Sequence, residues 1–242
     1  MSKRTNRAMR LFISLSISLS AVFALAACSD EPTTPTAAAS TSPQDIDVEQ
    51  PVMGPERHIL AFGDSLFAGY GVDPEESYPA RLERALRAKG VNARITNAGV
   101  SGDTSAAGAQ RIAFVLSGQD VAPDLAIVEL GGNDLLRGID PDQTRKNLSA
   151  ILSELQQRDI PVLLMGMRAP PNLGEDYRQR FDALYPDLAK QFGVDLVPFF
   201  LEGVYDHPEL IQDDRVHPTA EGIETLVAAT EGDVRQALPE RP

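Results

Sequence analysis

From residue 58 onward the chain alternates short apolar runs with stretches of helical period, and this alternation limits the fold more than any other feature. His58-Ile59-Leu60-Ala61-Phe62 ends at Gly63, Val91–Ala98 alternates and ends at Gly99, and Leu125–Leu130 is almost continuously apolar. Pro161–Met165 and Val194–Phe199 follow. Runs this short, bounded by Gly or Pro, predict five strands. Between them, Ser77 precedes Tyr78-Pro79 and the spacing Leu82, Ala85, Leu86, Lys89, ending at Gly90. That pattern predicts a helix with a Ser N-cap, an early Pro and a terminal Gly. Asp140-Pro141 opens a second helix with the face Leu148, Ile151, Leu152 and Leu155. Residues 176–192 carry a third pattern (Tyr177, Phe181, Leu184, Leu188), which Pro186 should kink or split. Thr219–Leu238 closes the chain as a helix begun by Pro218. Strands separated by helices form βαβ units, hence a parallel sheet covered on both faces. One α/β domain over residues 57–242 is therefore expected.

In open parallel sheets, ligands bind beyond the carboxyl ends of the strands. Three polar clusters fall there. Gly63-Asp64-Ser65-Leu66 follows the first strand and would present the Ser65 hydroxyl at the sheet edge. Asn97–Asp103 follows the second, and its glycines let the backbone approach a ligand closely, so that a free N–H could be donated. Gly131-Gly132-Asn133-Asp134 follows the third, where the Asn133 amide can donate into the same cleft. Near the end, Asp214-Arg215-Val216-His217-Pro218 puts a carboxylate three residues before an imidazole. Each cluster is weak alone; their order and placement at strand ends are the signal. Structural roles compete for each: Ser65 as a helix cap, Gly102 and Asn133 in turns, and Asp213 in place of Asp214. Asp64 and Asp134 are expected to hold the loops, His207 to sit in a loop, and His58 to be structural.

Composition narrows the chemistry. Lys and Arg number 22 against 35 Asp and Glu, a formal net charge of −13. Such a chain lacks the basic face that tracks nucleic-acid phosphates. A single Cys excludes an intrachain disulfide and a Cys-based zinc cluster. The three His, at 58, 207 and 217, are too far apart in sequence for a local metal pair. No metal and no cofactor are expected. A G-x-S-x-G nucleophile elbow is absent, which disfavours an α/β-hydrolase.

The N-terminal region reads differently. Residues 1–10 carry Lys3, Arg4, Arg7 and Arg10 with no acid, and Leu11–Ala27 is almost wholly apolar or small. This describes a secretory signal peptide over 1–27, with an uncleaved anchor as the alternative. Leu25-Ala26-Ala27-Cys28 resembles a bacterial lipoprotein lipobox, which implies a lipid anchor on Cys28 and, with Ser29 next, outer-membrane sorting in a host that has one. Residues 29–56 are rich in Pro, Ser, Thr and Ala, with six acids and no base. They read as a disordered linker, giving a segment 28–56 between anchor and domain. Without residues 1–27 the net charge becomes −17.

The four clusters, in this order, resemble the blocks of the GDSL/SGNH hydrolase family. GDSLFAGYGVDPEESYPARLE, NAGVSGDTSAAGAQR, PVLLMGMRAPPNLG and VHPTAEG look most like its bacterial acyl-CoA thioesterase/lysophospholipase/arylesterase branch. Gly132 stands where many relatives of that branch have Ala. The resemblance implies a flavodoxin-like three-layer sandwich around a five-stranded parallel sheet. It also implies Ser65 as nucleophile, His217 as base and Asp214 as the residue that orients it. The N–H groups of Ser65 and Gly102 and the Asn133 amide would form the oxyanion hole. Leu135, Leu136, Met167, Pro170 and Pro171, beyond strand ends, are candidates for an apolar substrate wall or for loop packing. At −17 the chain should repel polyanionic acyl-CoA, which favours aryl or short-chain esters and lysophospholipids. A carbohydrate acetyl esterase and a catalytically silent binding protein remain open alternatives. A monomer is expected.

Overall fold

The computed structural model describes residues 52–240. The signal peptide read at 1–27, Cys28 and most of the linker lie outside the described residues. Residues 54–56 already touch the domain: the Gly54 carbonyl accepts from Asn92 at 3.0 Å, and Glu56 pairs with Arg94 at 3.2 Å.

Five strands form one wholly parallel sheet: β1 (Arg57–Gly63), β2 (Ala93–Gly99), β3 (Leu125–Glu129), β4 (Val162–Met165) and β5 (Asp195–Val197). Their order is β2-β1-β3-β4-β5. The chain steps from β1 to β2 on one side and then crosses to β3 on the other, so the topological switch lies at β1. The register brings Gly63 level with both Gly99 and Glu129, so the first three strands end at one edge. This levelling converts three clusters far apart in sequence into neighbours. Every residue of β3 and β4 is buried, as expected of central strands covered on both faces. Burying each such Leu, Ile or Val contributes about 1.5–3 kcal/mol.

Eight helices cover the sheet among the described residues. Short α1 (Ser65–Ala68) follows β1, and α2 (Tyr78–Ala88) precedes β2. α3 (Ser105–Ser117), α4 (Gly132–Leu136) and α5 (Pro141–Gln156) follow in turn, then α6 (Glu175–Asp182), α7 (Leu184–Phe192) and α8 (Ala220–Ala237). α2 packs on α8, while α3 packs on α5 and α5 on α7, giving the two outer layers.

Several expectations are corrected. Ser77 precedes α2, but its hydroxyl donates to the Pro74 carbonyl at 2.8 Å and makes no side-chain cap. The last helix is capped by Thr219, whose hydroxyl accepts from Gly222 N–H at 3.1 Å; Pro218 stands outside it. The strand expected over 194–199 is shorter. The 176–192 pattern does split, with α7 beginning two residues before Pro186. Pro186 has no N–H for the Asp182 carbonyl, and its ring crowds that carbonyl, so the helix ends at Asp182. Helices α1, α3 and α4 are additional to the sequence reading.

Candidate active site

Gly63 ends β1, and Asp64 turns the chain into α1. Asp64, not Ser65, is the cap: its Oδ1 accepts from Leu66 N–H at 3.0 Å. Ser65 is therefore the first residue of the helix, and its N–H has no partner among the described residues. Gly99, at the end of β2, lies under this turn, where a side chain would strike the backbone of Asp64 and Phe67.

The imidazole arrives from the opposite end of the chain. His217 Nε2 lies 2.8 Å from Ser65 Oγ, and Nδ1 lies 2.6 Å from Asp214 Oδ2. A carboxylate only accepts, so Nδ1 carries the proton and Nε2 offers its lone pair to the serine. Asp214 Oδ1 also accepts from the N–H groups of Val216 and His217, at 2.9 and 3.0 Å. Burial pushes the Asp214 carboxyl up, but the His217 side chain and these two N–H groups outweigh it and hold it at about 2. Gln212 fastens the turn: its N–H donates to the His217 carbonyl, and its side chain donates to the carbonyls of Pro218 and Tyr70, each at 2.8 Å. The Tyr70 ring covers the imidazole, with centroids 4.4 Å apart. Asp213 makes none of these contacts. His207 pairs instead with Glu209 at 3.1 Å, and His58 with Glu56 at 3.2 Å.

Asn133, in α4 just beyond β3, donates from Nδ2 to Asp64 Oδ2 at 3.0 Å. Its amide keeps a second N–H free. Gly102 has φ of +85°, and its N–H likewise has no described partner, while its carbonyl accepts from Arg137 at 2.8 Å. Asp134 holds the loops: it accepts from the Ser105 N–H and hydroxyl and from Thr144 Oγ1.

One polar residue escaped the sequence reading. Glu129, the last residue of β3, is fully buried, and its Oε2 accepts from Asp64 N–H at 3.3 Å. Its Oε1 has no partner among the described residues. Burial, reinforced by the charge of Asp64, pushes the Glu129 carboxyl well above its ordinary range. Burial raises the Asp64 carboxyl too, although hydrogen bonds with Leu66 N–H and the side chains of Glu129 and Asn133 work against it. Of the two carboxyls, Glu129 is the one that the charge of its neighbour pushes up further. A Glu inside an apolar run, adjoining a strand-end cluster, was the available signal.

Ser65 and Asn133 open onto a cleft of about 510 Å³. Leu135, Leu136, Met167 and Pro170 line it, whereas Pro171 lines a smaller neighbouring cavity of about 280 Å³. The segment after β5 supplies much of the remaining wall, through Phe199, Leu201, Tyr205, Ile211 and Val216. The run Phe199-Phe200-Leu201 at a strand's carboxyl end could have signalled this.

Residues 61–224 match the model of the GDSL-like lipase/acylhydrolase family. The chain is 43% identical over 160 residues to thioesterase 1/protease 1/lysophospholipase L1 of Escherichia coli K12, covering 66% of this chain and 74% of that protein. It is 41% identical over 163 residues to an arylesterase of Vibrio mimicus, covering 67% and 80%. Among solved structures, the SGNH-hydrolase family esterase AlinE4 shares 67% identity with a TM-score of 0.66, over 78% of this chain and all of that one.

Proposed function

The chain belongs to the GDSL-like lipase/acylhydrolase family, and from that premise we propose that it cleaves carboxylic esters through an acyl-enzyme on Ser65. It is an SGNH serine esterase of the thioesterase, lysophospholipase and arylesterase kind. The observation that carries the residue assignment is the unbroken line from Asp214 Oδ2 through His217 to Ser65 Oγ, at 2.6 and 2.8 Å.

Ser65 Oγ attacks the ester carbonyl as His217 Nε2 takes its proton, and Asp214 steadies the resulting imidazolium. The carbonyl oxygen becomes an oxyanion, which meets the free N–H groups of Ser65 and Gly102 and the second N–H of Asn133. When the carbon–oxygen bond to the leaving alcohol breaks, His217 returns the proton to that alcohol. A water then attacks the acyl-enzyme, His217 takes its proton, and the acid leaves as Ser65 regains its hydrogen. The acyl chain lies against Leu135, Leu136, Met167 and Pro170. Aryl esters, short-chain esters and lysophospholipids are the proposed substrates.

This is tested with a chain-length series of p-nitrophenyl esters, for wild type and Ser65→Ala. The variant should lose on the order of 10⁴-fold or more in kcat. Equal rates would overturn the assignment.

The sequence supports export and anchoring as part of the same proposal: cleavage before Cys28, acylation of that thiol and a tether from residue 28 to the residues that touch the domain at 54–56. Two or more acyl chains give stable attachment. Mass spectrometry of the mature N-terminus should find lipid on Cys28 and none after Cys28→Ser; an unmodified wild type would refute the anchor.

A further inference from the structure

The cleft beside Ser65 is walled mostly by apolar side chains, yet two guanidinium groups, Arg168 and Arg215, also line it. The only acid in its lining is Asp64, which is buried and hydrogen-bonded. Residues 57–242 carry a net charge of −11, so the cleft reverses the sign of the domain around it. Charge on the far surface is screened beyond about 8 Å at physiological salt, whereas groups in the cleft act on a bound ligand directly.

Arg215 has a second peculiarity. Its φ is +60°, and only Asp159 shares a positive φ among the described residues other than glycine. The turn demands this backbone, because Asp214 folds back to take the N–H groups of Val216 and His217. Glycine would meet that demand without strain, whereas the left-handed conformation strains a residue that carries a side chain. What arginine adds is its guanidinium, which is exposed and has no hydrogen bond or ion pair among the described residues. Arg168 lies 5.1 Å over the Phe199 ring, and its nearest carboxylate, Glu202, is 3.8 Å away and mostly exposed. Both arginines are available to a ligand.

A guanidinium fork matches a phosphate in geometry and charge. We propose that Arg215, assisted by Arg168, selects esters whose leaving group carries a phosphate, with the acyl chain on the apolar wall. This rests on the reading of Ser65 as the nucleophile. It also qualifies the expectation that an acidic chain repels acyl-CoA: the overall charge is negative, but the cleft's exposed charges are positive. Lysophospholipids and acyl-CoA share this chemistry, and the substrates of the test separate them.

Full-length wild type, Arg215→Gly and Arg215→Lys are compared on dodecanoyl lysophosphatidylcholine, dodecanoyl-CoA and the neutral monododecanoylglycerol, all below micelle-forming concentrations. The readout is kcat/KM on each phosphate-bearing substrate divided by that on the neutral ester. Arg215→Gly should lower this ratio about tenfold, chiefly through KM, since the contact is made in ground and transition states alike. Arg215→Lys, which keeps the charge but not the fork, should fall between. A fall confined to one phosphate-bearing substrate supports the proposal and names the source of the phosphate. Because glycine relieves the strained φ, Arg215→Gly should melt no lower than wild type. A ratio unchanged on both phosphate-bearing substrates would overturn the proposal. Failure of wild type to cleave any of the three substrates would instead count against the Ser65 reading itself.

Discussion

The two halves of the site are held by different physics. Ser65, Asn133 and Gly102 follow β1, β3 and β2, whose ends the sheet register levels, and their supports Asp64 and Glu129 are buried. Asp214 and His217 instead occupy an exposed turn between an irregular segment and α8, fixed by hydrogen bonds from Gln212 and within the turn itself. The first half inherits its geometry from the core; the second assembles its own. Changes to the buried supports should therefore show in stability, while changes in the exposed turn should cost catalysis with little effect on folding.

Among the residues that support Ser65, the largest effect on rate is expected at Asn133. Asn133→Ala removes one oxyanion donor and should lower kcat by about 10²–10³ with KM nearly unchanged. A change confined to KM would show that the amide merely lines the cleft. Asp214→Asn comes next, at about 10² in kcat, less than for an acid sealed from solvent, because water can partly support the imidazolium. Wild-type Asp214, with a folded pKa of about 2, lies below an unfolded value of about 3.9. Its contribution to stability is present above the unfolded value and lost as pH falls through the folded one. The variant should thus match the wild-type melting temperature near pH 2 and fall slightly below it at neutrality. A large loss of stability at neutral pH would erase the distinction between the halves.

Glu129→Gln should have the smallest effect on rate and an opposite effect on stability. Glu129 binds its proton more tightly folded than unfolded, so its contribution is full below an unfolded pKa of about 4.3 and is lost as pH rises. Gln keeps the acceptor for Asp64 N–H and a donor beside it without that loss. The variant should melt above wild type at neutral pH, with the gap closing as pH falls towards about 4. A lower melting point at neutrality would mean that Glu129 is stabilising as an anion.

The same contrast governs what the sequence disclosed. Ser65 and Asn133 were legible because strand ends are marked by Gly after apolar runs, and a parallel sheet gathers those ends; Gly102 was singled out only by the family resemblance. Asp214 and His217 were legible through their spacing, which permits a carboxylate to reach back along a turn. Glu129 was not, because a charge at the end of an apolar run gives no sign that its neighbours seal it from water. Helix α3 hid because two of its inward residues, Ser105 and Gly108, are small or polar, while Phe114 faces out at 82% exposure. The left-handed Arg215 is a property of φ, and nothing local in an arginine announces it.

The central claim, that Ser65 is the nucleophile at which both halves meet, is tested most directly by stoichiometric labelling with a p-nitrophenyl alkylphosphonate. The account predicts one adduct per chain, on the peptide containing Ser65, with activity falling in proportion and no adduct in Ser65→Ala. Equal labelling of Ser65→Ala, or loss of activity with the adduct on another residue, would contradict it.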